Sequence, residues 1–211
     1  MSLRYVFVDF DETLFGHYDY LAWFDSELDK DGLLPGGSGS FSRSIDDYHD
    51  VRSQRPLLRL YKHAEHLTDV TGQQWPFISG EMEKKMARRS GDFCYPDSHE
   101  FLEWLKEQDY DSRLLTYGDG EYQRFKIGLC HGTTAHFPVH VTQNPKTQFL
   151  TEEFPNEQGV LIDDKYPLDL PDNWHHIWLT RDKPMKKPRR LSPRVHQAST
   201  LGQAKQIIGK L

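Results

Sequence analysis

Residues 4–15 read RYVFVDFDETLF. The almost unbroken apolar run at positions 5–10 is typical of a strand that is buried on both faces of a parallel sheet. Asp9 and Asp11 close this run, and Thr13 follows two residues later. Because side chains alternate along a strand, both aspartates point to the same side, and at the carboxyl end of a strand that side can be a binding crevice.

Two carboxylates at one strand end repel each other, and a divalent cation relieves that repulsion. Hard oxygen ligands on a loop beside a strand favour magnesium over zinc or copper. The alternative is that Asp9 and Asp11 only end a strand and open a turn, as aspartate commonly does. The buried character of the preceding strand favours the magnesium site.

Length and charge limit the domain organisation and the kinds of partner that we expect. A chain of 211 residues can hold one large domain, or a domain with a sizeable insertion. A net charge of -6 and a pI near 6.0 argue against a nucleic-acid or membrane-surface protein. No segment resembles a signal peptide, and no apolar run approaches the roughly 20 residues that span a bilayer. We therefore expect a cytoplasmic protein without nucleic-acid or membrane partners; its oligomeric state is not indicated.

The cysteines and histidines do not form a familiar metal-ligand or disulfide pattern. Cys94 and Cys130 are expected to be buried thiols. Two histidine pairs have spacings that invite a zinc interpretation, but no carboxylate or cysteine completes either set, so surface or packing roles are expected. These pairs are His63 with His66 and His175 with His176.

Strands and helices alternate from residue 95 onward. Further short apolar runs, each predicted to be a strand, occupy residues 113–117, 137–142, 159–162 and 176–180. Residues 97–108 predict a helix that Asp97 caps, with Glu100 three residues later. This alternation predicts an α/β fold, a doubly wound, Rossmann-like parallel sheet with helices on both faces.

Residues 16–93 do not alternate in this way. They predict helices at 18–30, 56–70 and 80–89, with a flexible Gly/Ser connection at 36–40. A helical insertion placed after the first strand can lie over the carboxyl edge of the sheet as a cap.

Residues 181–194 carry seven Lys or Arg against one Asp, with three prolines. A nuclear-localisation or nucleic-acid-binding patch is one interpretation. We favour a solvated loop that precedes the last helix, which is predicted at residues 200–210.

Polar groups follow two further strands. Thr116 ends one strand, and its hydroxyl and the neighbouring backbone N–H groups at Tyr117 and Gly118 can hold an anion. Asp163 and Asp164 end another strand, and Lys146 lies seventeen residues before the first of them. Three strands therefore deliver polar groups to one edge of the sheet.

The order of these motifs, D-x-D-x-T, then Thr116, Lys146 and the acidic pair, resembles the haloacid dehalogenase (HAD) superfamily of hydrolases over nearly the whole chain. Residues 93–128, FCYPDSHEFLEWLKEQDYDSRLLTYGDGEYQRFKIG, are similar to the family's passage from the end of a helical cap into its second motif. The resemblance implies an α/β catalytic core of residues 1–15 and 94–211, with a helical cap at 16–93.

The resemblance also implies roles for individual residues. Asp9 takes the nucleophile position and Asp11 the general acid/base position, while Thr13 braces their loop. The implied phosphate-binding group is Thr116 and Tyr117 with Lys146. The implied Mg²⁺ ligands are Asp9, the backbone carbonyl of Asp11, Asp163 and Asp164.

The chemistry of a phosphate ester calls for these residue types. A carboxylate that attacks a phosphate needs neutralising charge nearby, and an aspartyl-phosphate intermediate divides one difficult displacement into two easier steps. Asp11 can donate a proton to the leaving alkoxide and later accept one from water.

Asp11 also favours phosphoryl chemistry, because family members that cleave carbon–halogen bonds lack this second aspartate. We therefore predict a magnesium-dependent phosphatase that hydrolyses a small phosphorylated metabolite. The alternatives are a phosphomutase or other phosphotransferase, and a catalytically silent binding protein.

Three assignments remain open in the sequence. Lys126 competes with Lys146, but it lies about two turns into its helix, where a solvated face is expected, so we favour Lys146. Either aspartate of the acidic pair can bind the metal directly, and Asp163 is preferred because it is closer to the strand end. Asp169 fits an indirect contact with the site or a turn equally well.

Overall fold

The structure is a computed structural model that describes residues 3–30, 88–89, 91–166 and 169–211. The helices predicted at 56–70 and, for the most part, at 80–89 lie outside these residues, as does the Gly/Ser connection at 36–40. The expected division into a core and a helical cap therefore stays a prediction.

One seven-stranded sheet organises the described chain, with the strand order β3-β2-β1-β4-β5-β7-β6. Every neighbouring pair is parallel except β6 and β7, which are antiparallel. The strands are β1 (Tyr5–Val8), β2 (Asp111–Tyr117), β3 (Val139–Thr142), β4 (Gly159–Asp163), β5 (Trp174–Leu179), β6 (Arg189–Arg190) and β7 (Val195–Ala198). The α/β, Rossmann-like class predicted from the sequence is confirmed.

Helices accompany this sheet. The described helices are α1 (His17–Lys30), α2 (Ser98–Lys106), α3 (Gly120–Leu129), α4 (His131–Thr134), α5 (Lys146–Glu153) and α6 (Leu201–Ile208). The predicted helices at 18–30, 97–108 and 200–210 thus correspond to α1, α2 and α6, with ends that differ by no more than about two residues.

Strand β1 lies at the centre of the sheet, and every one of its residues is buried. It pairs with β2 on one side and with β4 on the other, and Val8 is in register with both Leu114 and Ile162. The carboxyl ends of these strands therefore meet at one edge, which is where the sequence places its polar groups.

Hydrophobic side chains fill both faces of the sheet. The larger cluster includes Val6, Val8 and Phe10, and the smaller includes Tyr5, Phe7 and Trp174. The alternation of β1 residues between the two clusters follows from the period-2 geometry of a strand. A Cβ atom at Gly159 would overlap the ring of Trp174, so that position requires glycine.

The sequence prediction for the region after β5 was incomplete. Residues 189–190 of the predicted solvated loop form β6, and the short strand β7 was not predicted. Strand β7 has the polar sequence VHQA, which carries no run of apolar residues. Its position is set by pairing with β5, a long-range contact that local hydrophobicity does not reveal.

Asp97 occupies the N-cap position of α2, as predicted, but it does not cap the helix through its side chain. Its side chain makes no hydrogen bond to the first turn of α2. Instead, Asp97 Oδ2 accepts a hydrogen bond from the backbone N–H of Leu201, 2.9 Å away, at the start of α6. Asp97 also pairs with Arg181 at 3.0 Å. The carboxylate therefore joins the start of α2 to the start of α6.

The prediction of free cysteines was also wrong. Cys94 and Cys130 form a disulfide with a Cα–Cα distance of 6.6 Å. Cys94 lies on the segment that pairs with Phe15, and Cys130 is the residue directly after α3. Two cysteines 36 residues apart carry no local signal of proximity, so only the fold brings them together.

Candidate active site

The loop after β1 places two carboxylates at the sheet edge. Asp9 is buried, and its backbone N–H donates to Ile162 O at 2.9 Å. Glu12 adopts a φ of 56°, a left-handed conformation that is uncommon for residues other than glycine. Its carboxylate accepts hydrogen bonds from the Tyr18 N–H at 3.0 Å and from the Tyr95 hydroxyl at 2.7 Å, which hold this turn in place.

An acidic group forms where β1 and β4 end side by side. Asp9, Asp163 and Asp164 each offer a carboxylate oxygen, and these oxygens lie within 4.8 Å of one another. Hard oxygen ligands on adjacent loops are the donor set that Mg²⁺ uses in proteins. The residues present therefore fit the expected magnesium ion. The Asp11 side chain is not a member of this group, and a contact through its backbone carbonyl stays a prediction.

Lys146 is the first residue of α5 and lies against this acidic group. Its Nζ is 2.5 Å from Asp9 Oδ1 and 2.6 Å from Asp163 Oδ2. Burial acts to lower the pKa of Lys146, but Asp163 and Asp9 outweigh burial, and the net shift is upward. Lys146 is thus an ammonium ion that bridges the candidate nucleophile and the acidic pair.

The carboxyls differ in their electrostatics. Burial raises the pKa of Asp9, and the nearby Asp163 and Asp164 add to that rise. Burial and the charge of Asp163 raise the pKa of Asp164 to about 6. Burial opposes ionisation of Asp163 too, yet Lys146 outweighs it and lowers the pKa of that carboxyl. A divalent cation would favour the charged forms of all three.

Thr116 lies near the end of β2 with only 1% of its surface exposed. Its hydroxyl has no hydrogen-bond partner among the described residues. The backbone then turns at Gly118, where φ is 154° and a Cβ would come within 2.5 Å of Gln123 Nε2. An unpaired buried hydroxyl at a strand end is a group that a ligand can satisfy.

Most of these groups line one cavity of about 430 Å³. The cavity contains the following residues singled out in the sequence: Asp9, Asp11, Thr116, Tyr117, Lys146 and Asp164. Asp163 faces a neighbouring cavity of about 670 Å³, which Lys146 also lines. Residues from α1 and α3 that the sequence analysis did not assign complete the first cavity, among them His17, Leu21 and Tyr122.

Lys126 was expected on a solvated helix face, and this was wrong. Its side chain is 1% exposed, and Nζ lies 2.5 Å from Asp11 Oδ1 and 2.6 Å from Oδ2. Tyr122, Lys126 and Leu129 are all buried on α3. Their i, i+4, i+7 spacing is the signal that could have placed Lys126 on the inner face.

The charge of Lys126 favours the ionised form of the Asp11 carboxyl. Burial acts to raise the pKa of the Asp11 carboxyl, but Lys126 outweighs burial, and the pKa is lowered. The two aspartates therefore pair with different lysines, since Lys126 contacts Asp11 while Lys146 contacts Asp9. The proximity of Lys146 to Asp9 is consistent with the preference for Lys146 as the phosphate-binding lysine, which stays a prediction.

Arg181, which sequence reasoning did not assign, contacts the loop that follows β1. Its Nη2 donates to Thr13 O at 2.6 Å, and its guanidinium carbon lies 3.9 Å from the centre of the Tyr95 ring. The Thr13 hydroxyl has no partner within the described part of the chain. Thr13 is therefore fixed through its backbone carbonyl.

The remaining candidates lie outside this cavity. Asp169 is exposed on a turn with a φ of 58°, and its role stays open. His175 and His176 lie on β5, and they are not in the acidic cluster that the structure describes. Burial lowers the pKa of His176 to about 4, so it is neutral at pH 7. His63 and His66 lie outside the described residues.

Comparison with solved structures defines the class of fold. A haloacid dehalogenase-like hydrolase from Burkholderia xenovorans aligns with a TM-score of 0.69 and 13% identity over 100% of this chain and 98% of its own. YfnB from Bacillus subtilis, described as a HAD hydrolase bound to magnesium, has a TM-score of 0.60 and 15% identity over 99% of each chain. A protein described as a dehalogenase has a TM-score of 0.59 and 17% identity over 98% of this chain and 97% of its own.

The chain therefore has the fold of the HAD-like hydrolases, as the order of its motifs predicted. At these identities the likeness defines the fold alone. No protein-family model matches the sequence, and no curated protein matches it.

Proposed function

We propose that this protein is a magnesium-dependent phosphatase of the HAD type that hydrolyses a small phosphorylated metabolite through an aspartyl-phosphate. One observation carries the proposal. The carboxylate oxygens of Asp9, Asp163 and Asp164 lie within 4.8 Å of one another, and Lys146 and the unpaired Thr116 hydroxyl lie in the same region of the sheet edge. The magnesium described for YfnB supports the choice of metal.

Asp9 is the nucleophile in this proposal. At an effective dielectric constant of about 20, two like unit charges about 4 Å apart repel by about 4 kcal/mol, so an anionic carboxylate attacks a phosphate only if charge is neutralised nearby. Lys146 supplies a positive charge 2.5 Å from Asp9. A Mg²⁺ ion held by Asp9, Asp163 and Asp164 would supply further positive charge. The Thr116 hydroxyl and the backbone at Tyr117 would bind the phosphate oxygens.

Asp11 is the general acid/base, and it supports a phosphatase over a dehalogenase. An alkoxide needs a proton in order to leave, whereas a halide does not. A second carboxylate in the cavity is therefore useful in ester hydrolysis. Dehalogenation remains the second candidate because one of the similar structures is described as a dehalogenase.

A phosphomutase or a silent binding protein would use the same cavity differently. A phosphomutase would transfer the phosphoryl group to a second substrate hydroxyl instead of water. A silent binding protein would hold an acidic partner through the basic residues 181–194 and release no phosphate. The intact set of carboxylates and lysine supports catalysis over silent binding.

A direct assay tests the proposal. The purified protein is incubated with p-nitrophenyl phosphate and a panel of phosphorylated metabolites, with Mg²⁺ or with EDTA. We expect phosphate release that EDTA removes and that Asp9→Asn lowers by at least about 10³-fold, because covalent catalysis depends on that oxygen. Asp172→Asn, a change at a fully exposed carboxylate, is the matched control.

Activity that survives both EDTA and Asp9→Asn contradicts the mechanism. Halide release from 2-chloropropionate without phosphate release would favour the dehalogenase. Failure to release either product would favour the binding protein, whose partner binding should then depend on residues 181–194.

A cytoplasmic location also stays a proposal. Among the described residues, no helix is both long and apolar enough to cross a membrane. The disulfide between Cys94 and Cys130 is a feature that cytosolic proteins rarely keep. Reduced cysteines in cells would therefore support a cytoplasmic location, and an intact disulfide would argue against it.

A further inference from the structure

The Asp11 carboxylate is held by two side chains of α3. Lys126 Nζ contacts both of its oxygens, at 2.5 and 2.6 Å, and Gln123 Nε2 donates to Oδ2 at 3.0 Å. We propose that Lys126 and Gln123 are positioning residues that fix the Asp11 carboxylate for proton transfer to and from substrate. This inference rests on the proposed function, in which Asp11 is the general acid/base.

Burial makes Lys126 dependent on Asp11. The lysine side chain is 1% exposed, and the Asp11 side chain is 26% exposed. A buried ammonium without a counter-charge is strongly unfavourable, whereas a partly exposed carboxylate can be solvated in other orientations. Rotation of Asp11 away from α3 would leave Lys126 unpaired, so the pair restrains the carboxylate to one orientation.

The lysine itself is fixed by its helix. Its Nζ lies 4.6 Å from the centre of the Tyr122 ring, which adds a cation–π contact. Helix α3 begins at a defined point because the Asp119 side chain accepts hydrogen bonds from the N–H groups of Glu121 and Tyr122, both at 3.1 Å. The position of Lys126 is thus set by a capped, buried helix and not by a mobile surface chain.

Gln123 connects Asp11 to the predicted phosphate-binding strand end. Its Nε2 donates to Tyr117 O at 3.0 Å as well as to Asp11. This close approach is possible because residue 118 is glycine, where a Cβ would lie 2.5 Å from the same Nε2. The glutamine therefore keeps the acid/base carboxylate at a constant distance from the residues that would hold the phosphate.

Both half-reactions use the same Asp11 carboxylate, so its position has to suit two proton transfers. In the first, the Asp9 oxygen bonds to phosphorus as the ester O–P bond breaks, and the leaving oxygen takes a proton from the Lys126–Asp11 pair through Asp11. In the second, water attacks phosphorus, the Asp9 O–P bond breaks, and the proton lost by water returns to the pair. Asp11 must reach first the leaving oxygen and then the attacking water.

Dependence on the leaving group separates this role from a structural one. Lys126→Met is compared with wild type on phenyl phosphate, a poor leaving group, and on p-nitrophenyl phosphate, a good one. We expect kcat/KM to fall about 10²-fold for phenyl phosphate and less than about 10-fold for p-nitrophenyl phosphate, since kcat/KM reports the steps through the first half-reaction, in which only the poor leaving group needs the acid. Lys126→Arg should keep the orientation of the Asp11 carboxylate, because it keeps the charge, but should recover little of the loss on phenyl phosphate, because an arginine releases no proton to the pair.

A double-mutant cycle with Asp11→Asn gives the second readout. If Lys126 acts through Asp11, Lys126→Met should add less than about 3-fold to the loss in the Asp11→Asn background. The double variant carries no unpaired buried charge, so its loss relative to wild type stays measurable if Asp11→Asn, which leaves the buried Lys126 unpaired, folds poorly alone. Lys106→Met is the matched control, because it removes the lysine of the surface pair with Glu103. Equal losses on both substrates, or additive losses in the cycle, would overturn the proposal.

A crystal structure of Lys126→Met separates failure of this inference from failure of the proposed function. We expect the Asp11 carboxylate to take another orientation or to become disordered, whether or not the wild type is a phosphatase. An Asp11 side chain that keeps its position in the variant would overturn the positioning role. A wild type that releases no phosphate would instead overturn the proposed function.

Discussion

At the scale of single residues, Thr116 shows the conflict between stability and function most directly. A buried hydroxyl without a hydrogen bond costs about 1–3 kcal/mol of folding free energy. Thr116 bears this cost in the described structure, since its Oγ1 has no partner there. Thr142, at the end of the neighbouring strand β3, has no such cost, because its hydroxyl donates to Asn144 O and accepts from Asn144 N–H, both at 3.0 Å.

These two threonines predict opposite outcomes for the same substitution. Thr116→Val should leave the free energy of unfolding unchanged or raise it by up to about 1 kcal/mol, because it removes an unpaired polar group. It should lower kcat/KM for aryl phosphate hydrolysis by about 10–100-fold, because a hydrogen bond to a charged group is lost.

Thr142→Val should lower the free energy of unfolding by about 1–2 kcal/mol, because it removes satisfied hydrogen bonds, and should change kcat/KM little. Urea denaturation and steady-state kinetics measure both variants. A Thr116→Val protein that is clearly destabilised but fully active would contradict the assignment of Thr116.

At the scale of helices and strands, the disulfide joins two parts of the chain that shape the cavity. Cys130 directly follows α3, the helix that carries Lys126 and Gln123. Cys94 pairs with Phe15 next to the loop that carries Asp11. The covalent link therefore restrains the far end of the helix that holds the candidate acid/base.

Removal of this link should destabilise the protein. For a loop of 36 residues, the loss of chain-entropy restraint predicts a decrease of about 3–4 kcal/mol in the free energy of unfolding. Urea denaturation of Cys94→Ala/Cys130→Ala against the oxidised wild type measures this difference.

The reduced wild type is the control, because it lacks the bond but keeps both side chains. It should unfold at nearly the same urea concentration as the double variant. Alkylation of both cysteines in protein purified without reductant, detected by mass spectrometry, would contradict the disulfide itself.

At the scale of the whole molecule, parallel pairing concentrates negative charge at one edge. Strands β1 and β4 end side by side, so Asp9, Asp163 and Asp164 converge while Lys146 compensates only part of their charge. Burial and Asp163 raise the pKa of Asp164 to about 6, which indicates that the site is short of positive charge.

Magnesium should therefore stabilise the folded protein. At a Mg²⁺ concentration of about 100 times the dissociation constant, binding to the native state alone adds about 2.7 kcal/mol to the free energy of unfolding. Thermal denaturation with and without MgCl₂ at constant ionic strength measures the effect.

Asp164→Asn distinguishes specific binding from a general salt effect. Without magnesium, this variant should be at least as stable as wild type, because it removes one of the repelling charges. With magnesium, it should gain clearly less stability than wild type. An equal gain for both proteins would show that the ion does not bind at this cluster.

The alternation of strands and helices in the sequence determined the fold class, and the order of its motifs determined most of the candidate site. Buried parallel strands can be recognised locally from their apolar runs, and their carboxyl ends must meet at one edge. Asp9, Asp11, Thr116 and Lys146 could therefore be predicted to converge, and the structure places them around one cavity. Strand β1 was predicted for the same reason, since its burial is encoded within residues 5–10.

Only the tertiary structure decided which charges pair and which cysteines meet. Lys126 and Asp11 are 115 residues apart, and the buried position of the lysine depends on that distant carboxylate. The redirection of Asp97 to α6, the contact of Arg181 with Thr13 and the short strand β7 also depend on distant partners. Hydrophobic periodicity reports whether a segment is buried, but a polar or charged side chain is buried only where another part of the fold supplies its partner.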